Sequence, residues 1–324
     1  MKTTIYGAGA IGGWIGARLL RQGCDVTFVA RGATLQRLRD KGLTLKQGQD
    51  VFSLPVHATD NPASLGQQDL VVVSVKAPAL PDIAEALRPL LGPHTTVLTA
   101  MNGVPWWFFD GFGESMSGTR LRTVDPESRI AKAIPAELVI GGVVHASCIL
   151  EAPGVVRQHF GNDMIIGEPR GGISERVEGL AAILNRAGIE AKISAQIQRD
   201  VWFKLWGNMT TNPISALTGA TTDRIVDDPL VMDFATRAML EAKQIGEAFG
   251  LPISQAPADR HRLTRTLGAA KTSMLQDVEA GKPIELDAIL GAVQELGQLT
   301  RVPTPSINAL LGLTRLKARV SGLY

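Results

Sequence analysis

Cysteine is almost missing from this chain: Cys24 and Cys148 are the only two among 324 residues. They stand far apart and make no metal-type spacing, so no metal site is expected. Two cysteines are enough for one disulfide, but the pair suits a reducing compartment at least as well. An excess of either charge is missing too. The net charge is +2 with the signs interspersed, which argues against a nucleic-acid partner and against a basic membrane-binding face. The first residues lead straight into an apolar strand pattern rather than a charged leader and a long apolar run. No signal peptide, membrane span or membrane partner is therefore expected, and a cytoplasmic location is. Repeats and low-complexity tracts are absent. Aromatics are scarce, sixteen in all, yet four stand in a row at Trp106, Trp107, Phe108 and Phe109.

What is present has the length for two domains. Through residue 193 the pattern alternates. Strands are expected at 3–6, 25–30, 69–75, 96–99, 138–150, 155–159, 164–167 and 190–193, with a hairpin over 43–56 around Gln47-Gly48. Helices are expected at 11–22, 81–91 and 173–187. The run at 69–75 is apolar almost throughout, as suits a parallel strand covered on both faces. After Ser194 the alternation stops, and helical patterning covers 196–217, 229–249, 257–279, 286–301 and 305–318. The reading is an α/β Rossmann-type dinucleotide-binding domain over 1–194 followed by an all-α substrate and catalytic domain over 195–324.

Within the first helix of the second part, Lys204, Asn208 and Asn212 recur at spacings of four, which lines them up on one helix face. Trp202, Leu205, Trp206 and Met209 wall them in. Buried polar groups need partners, at about 1–3 kcal/mol each when unpaired, and a small polar substrate would provide them. The alternative is the surface stripe of an amphipathic helix, which the flanking tryptophans oppose. Pro213 removes the N–H that would bond the carbonyl of Met209, so a kink is expected there.

The first strand runs into Gly7-Ala8-Gly9-Ala10-Ile11-Gly12. A GxGxxG match is weak alone, but here it sits between strand and helix at the start of a βαβ unit, where it would cradle a pyrophosphate. At the end of the second strand stands Arg31, where NAD-selective sites place an acid. A guanidinium there suits a 2′-phosphate, hence NADPH; otherwise Arg31 is a solvated surface residue. Lys76 and Asn102-Gly103 each follow a strand, at the carboxyl edge where open α/β sheets bind ligands. A plain surface lysine and a simple turn are the competing readings. Carbonyl reduction by hydride needs a proton donor and groups that orient the substrate. Lys204 can be that donor and the asparagines can orient. Ser273 with Gln276 would make a capping box, and Glu285 suits a helix start.

Taken in order, the glycine turn, Arg31, Val-Lys76, Met-Asn102-Gly103, Lys204, Asn208, Asn212-Pro213, Ser273-Met-Leu-Gln-Asp and Glu285 resemble the ketopantoate reductase (2-dehydropantoate 2-reductase) family over essentially the whole chain. The resemblance implies NADPH-dependent reduction of a 2-keto acid, most directly 2-dehydropantoate, in pantothenate biosynthesis. It also implies a helical domain like that of 6-phosphogluconate dehydrogenase. Lys204 then donates the proton, Asn102, Asn208, Asn212 and Ser273 hold the substrate, and Glu285, the second catalytic residue, lies with Asn102 between substrate and cofactor. Ala146 touches the nicotinamide side. A lactate-dehydrogenase-like mechanism is less attractive, because it needs a paired histidine and carboxylate; only His145 falls near a strand end in the first domain, and it reads as a structural histidine.

The pattern departs from simple family members after Asn102-Gly103, where Val-Pro105 leads into the four aromatics. They would plug a domain interface, make a subunit contact or cover the substrate. The last option would select a bulkier keto acid, a same-family reductase with another substrate. A non-catalytic NADPH-binding sensor is the remaining alternative, and a homodimer is left open.

Overall fold

The computed structural model describes residues 1–113 and 116–324. They fall into two compact units. One comprises Met1–Met101 with Ser128–Asp200, the other Asn102–Glu127 with Val201–Tyr324. The contacts thus change unit three times along the chain, because the segment after Met101 clusters with the helices before the chain returns to the first unit.

The first unit is a Rossmann-like mixed sheet with helices. Its strands are β1 (Lys2–Tyr6), β2 (Asp25–Val29), β3 (Leu43–Gln47), β4 (Asp50–Leu54), β5 (His57–Thr59), β6 (Leu70–Val73), β7 (Thr96–Thr99), β8 (Val139–Ala152), β9 (Val155–Gly167) and β10 (Glu190–Ile193). They line up as β4-β3-β9-β8-β7-β6-β1-β2-β5, with β10 paired to β9. From β5 to β8 every neighbouring pair is parallel. All four residues of β6 are buried, as a strand covered on both faces must be. The helices are α1 (Ala10–Arg21), α2 (Gly32–Lys41), α3 (Leu80–Leu87), α4 (Arg129–Ala133) and α5 (Glu175–Arg186). Trp14, Ile15 and Leu19 of α1 are fully buried with Phe28 and Ile5.

The second unit is helical: α6 (Ile197–Thr218), whose first residues belong to the other unit, then α7 (Thr222–Asp227), α8 (Pro229–Ala248), α9 (Pro257–Arg265), α10 (Ser273–Glu279), α11 (Ala292–Thr300) and α12 (Pro305–Val320). A π-helical turn, Asp287–Gly291, leads into α11. Such turns recur at functional sites. Helix α6 continues through Pro213 to Thr218 without ending. The helix expected over 257–279 is instead two. Gly268, at φ +60°, lies in the break, and the exposed carbonyls of Gly268 and Ala270 accept hydrogen bonds from Asp223 and Thr222 of α7.

Trp106, Trp107, Phe108 and Phe109 are each at most 4% exposed. Phe108 and Phe109 pack edge-on against Phe249, and Phe249 against Trp202. Phe108 and Phe109 are thus interior packing of the helical unit. No described helix is long and apolar enough to cross a membrane.

Candidate active site

In the first unit the chain turns from β1 into α1 at Gly7, whose φ of +105° only glycine adopts readily. A Cβ on Gly12 would lie 2.1 Å from the Gly7 carbonyl oxygen and 2.3 Å from Ser74 Oγ, so helix and strand touch only because it is absent. Ser74 Oγ donates to that same carbonyl at 2.8 Å and pins the turn. Gly9 differs, because a Cβ there would meet nothing within 4 Å. Its α-carbon borders open space at the start of α1. No side chain caps this end and no acid occupies the first turn, so the first N–H groups have no intrahelical acceptor. Ala8, Ala10 and Ile11 complete the turn, and the whole fits a pyrophosphate.

Arg31 is exposed and serves as N-cap residue of α2, just past β2. Its charge reaches Tyr6 at the end of β1: burial raises the pKa of that phenol and Arg31 partly opposes it. Lys76 follows β6 at the start of a 3₁₀ turn, Ala77–Ala79. Ala146 lies inside β8, where the register with β9 slips between His145 and Ser147. His145 pairs with Asp163 at 3.3 Å.

In the second unit Lys204, Asn208 and Asn212 share one face of α6 while Trp202, Leu205, Trp206 and Met209 are buried. Lys204 Nζ donates to Asn102 Oδ1 at 2.9 Å. The next residues fix that amide in place. Val104 N–H donates to the Ala288 carbonyl of the π turn at 2.8 Å, and Gly103 lies so close to Ala288 that a Cβ would stand 2.5 Å from its oxygen. Farther on, Glu295 of α11 accepts from the Arg122 and Thr123 N–H groups. Glu285, only 6% exposed, precedes the π turn and acts electrostatically on Lys204. Burial lowers the lysine's pKa to about 8, Glu285 opposes the shift and Arg260 adds to it. Lys204 retains some accessible surface, so the low value reflects the ammonium's surroundings rather than full enclosure of the side chain.

Neither Asn208 nor Asn212 donates or accepts a side-chain hydrogen bond among the described residues, although Asn212 is only 6% exposed. Ser273 is exposed at the first position of α10 and does not cap it. Thr272 does: its hydroxyl accepts from the Leu275 N–H at 3.2 Å, and Gln276 donates to the Lys271 carbonyl. The capping box expected of Ser273 is therefore replaced by Thr272, which leaves the Ser273 hydroxyl outside the cap. No hydrogen bond joins Ser273 to the lysine cluster among the described residues. Two contributors went unread in the sequence, Ser74 beneath the glycine turn and Arg260 beside α6. No local pattern marks either.

A family profile described as "Ketopantoate reductase PanE/ApbA" matches residues 3–171, and one described as "Ketopantoate reductase PanE/ApbA C terminal" matches 196–318. The chain belongs to the ketopantoate reductase family. It is 45% identical to a 2-dehydropantoate 2-reductase of Mesorhizobium japonicum, with all of both chains covered. A crystal structure from Ralstonia solanacearum MolK2, provisionally assigned as a ketopantoate reductase, shares 53% identity at a TM-score of 0.97, covering 100% of this chain and 99% of that one. The 2-dehydropantoate 2-reductase of Geobacter metallireducens GS-15 shares 29% at a TM-score of 0.86, covering 98% and 100%. Membership makes the chain an oxidoreductase acting on CH–OH groups, with a small keto acid as substrate and a nicotinamide dinucleotide as cofactor.

Proposed function

We propose that this ketopantoate reductase family member reduces 2-dehydropantoate to pantoate with NADPH, the step expected in pantothenate biosynthesis, and that Lys204 donates the proton. The observation that carries the reading is the 2.9 Å hydrogen bond from Lys204 to Asn102 in the electrostatic reach of buried Glu285. The nicotinamide supplies the hydride. Asn102 accepts from the Lys204 ammonium and so fixes its orientation. Glu285 favours the charged lysine, while burial makes it a stronger acid than a solvated one. As the carbonyl oxygen gains charge, Lys204 can meet it with a hydrogen bond and then with the proton. Asn208, Asn212 and Ser273 have polar groups uncommitted among the described residues and serve to orient the acid.

The turn from Gly7 to Gly12 would hold the pyrophosphate, Arg31 the 2′-phosphate, and Lys76 and Ala146 the nicotinamide side, with Asn102 and Glu285 next to both ligands. Both cysteines are free, in keeping with a reducing cytosol.

Steady-state rates on a panel of 2-keto acids with NADPH test the substrate. 2-Dehydropantoate should far outpace pyruvate, and equal rates would reject it. Arg31→Ala should weaken NADPH binding about ten- to a hundredfold and NADH binding little, since a charge-assisted bond is worth about 1.5–3 kcal/mol. An equal loss for both would reject the 2′-phosphate role.

A further inference from the structure

Three arginines lie close together in α9, and two of them have anionic partners. Arg262 pairs with Asp259 and Arg265 with Asp227. Arg260 is different. Its guanidinium makes no hydrogen bond or ion pair among the described residues, although the side chain is partly buried. It lies against α6 at Gly207, one residue before Asn208 and three after Lys204. A Cβ on Gly207 would stand 2.3 Å from Arg260 Nε and 2.6 Å from Nη2. The plane also sits 5.6 Å from the ring centroid of Phe203, so glycine and phenylalanine one helical turn apart form its berth.

An unpaired, partly desolvated guanidinium is costly unless something anionic completes it. Burial depresses the Arg260 pKa, which registers that cost. Among the described residues, the Glu285 carboxylate and the Arg260 cation both act on the charge of Lys204. These three groups, Lys204, Arg260 and Glu285, carry two positive charges against one negative, which leaves room for an anionic ligand to supply another. A 2-keto acid supplies it: its carboxylate is bonded directly to the carbonyl carbon whose oxygen Lys204 would protonate.

We propose that Arg260 is the substrate's carboxylate anchor, a forked donor held over Gly207 that selects the ionised acid and sets its carbonyl toward Lys204. This rests on the 2-keto-acid reductase reading and adds the group that recognises the acid's charge. The planar fork matches a carboxylate with two parallel bonds, which the point charge of a lysine cannot reproduce.

The test compares the 2-keto acid with its uncharged methyl ester at saturating NADPH, in the wild type, Arg260→Gln, Arg260→Lys and Gly207→Ala. For Arg260→Gln, kcat/KM on the acid should fall about 10²-fold, carried mainly by KM, and this loss should exceed that on the ester at least tenfold. Arg260→Lys should recover part of the loss. Gly207→Ala, which displaces the guanidinium without removing it, should show the same acid-selective defect. Equal losses on acid and ester would overturn the assignment. Calorimetric binding of the acid in the presence of NADP⁺ gives a second reading that needs no turnover: unchanged affinity in Arg260→Gln also overturns it. A wild type that binds the acid through Arg260 yet reduces no keto acid would instead defeat the reductase reading alone.

Discussion

A solvated lysine titrates near 10.4 and gives up its proton reluctantly at neutral pH. Lys204, brought to about 8 by burial against the pull of Glu285, is mostly charged at pH 7 yet much more acidic. The sign of its pH dependence follows from which form works. The ammonium donates during reduction, so kcat/KM for the keto acid should be level at neutral pH and fall as pH rises through about 8. Oxidation of the hydroxy acid needs the free amine and should rise through the same range. Lys204→Ala should cut reduction about 10²–10⁴-fold and erase the limb; a pH–rate profile that keeps its limb would assign the proton to another group. Glu285→Gln removes the charge that supports the ammonium, so the limb should move below 8. Among single residues, those set by spacing were legible in the sequence, because Lys204, Asn208 and Asn212 share a face of any helix built from that segment. Arg260 was not. Arg262 has Asp259 one helical turn away in the chain, but only the fold gives Arg265 its carboxylate and sets Arg260 over Gly207.

At the level of elements, the glycine turn shows how one motif does two separable jobs. Gly12 lets α1 approach β1 and Ser74, whereas Gly9 borders empty space. Gly12→Ala should therefore destabilise the unit itself, lowering the melting temperature of the cofactor-free protein. Gly9→Ala should leave that temperature unchanged, or slightly higher, while weakening NADPH at least about tenfold by blocking backbone approach to the pyrophosphate. If Gly9→Ala bound NADPH normally, the open space at the start of α1 would not be where the pyrophosphate lies. Elements whose borders are local were legible: β1, α1, the β3–β4 hairpin and α12 follow from glycines, turns and periodicity. Those decided by partners were not. Strand β9 runs unbroken where two strands were expected, because β8 pairs along both parts of it and absorbs Gly161 in a bulge. The break between α9 and α10 carries carbonyls that α7 needs, a tertiary requirement that helical periodicity cannot signal.

For the molecule as a whole, the aromatic run after Asn102 is where pattern reading and fold part most clearly. Four consecutive aromatics among sixteen leave an interface plug, a subunit contact and a substrate cover open as readings. The chain instead threads 102–127 into the helical unit, where Phe108 and Phe109 complete a ring cluster with Phe249 and Trp202. That placement has a consequence for the lysine face, since Trp202 and Lys204 belong to the same turn of α6, and the 102–127 segment that carries these rings begins at the amide Lys204 holds. The cluster should therefore act through stability and not through selection. Phe109→Ala removes a fully buried ring and should cost about 3–5 kcal/mol of the helical unit's stability, read by chemical denaturation. The folded fraction should keep the wild-type ranking of keto acids, because no ring of the cluster is exposed enough to meet a substrate. A changed ranking with undiminished stability would return these aromatics to the substrate wall, and would mean that the interior packing of the 102–127 segment is not how it contributes to the enzyme.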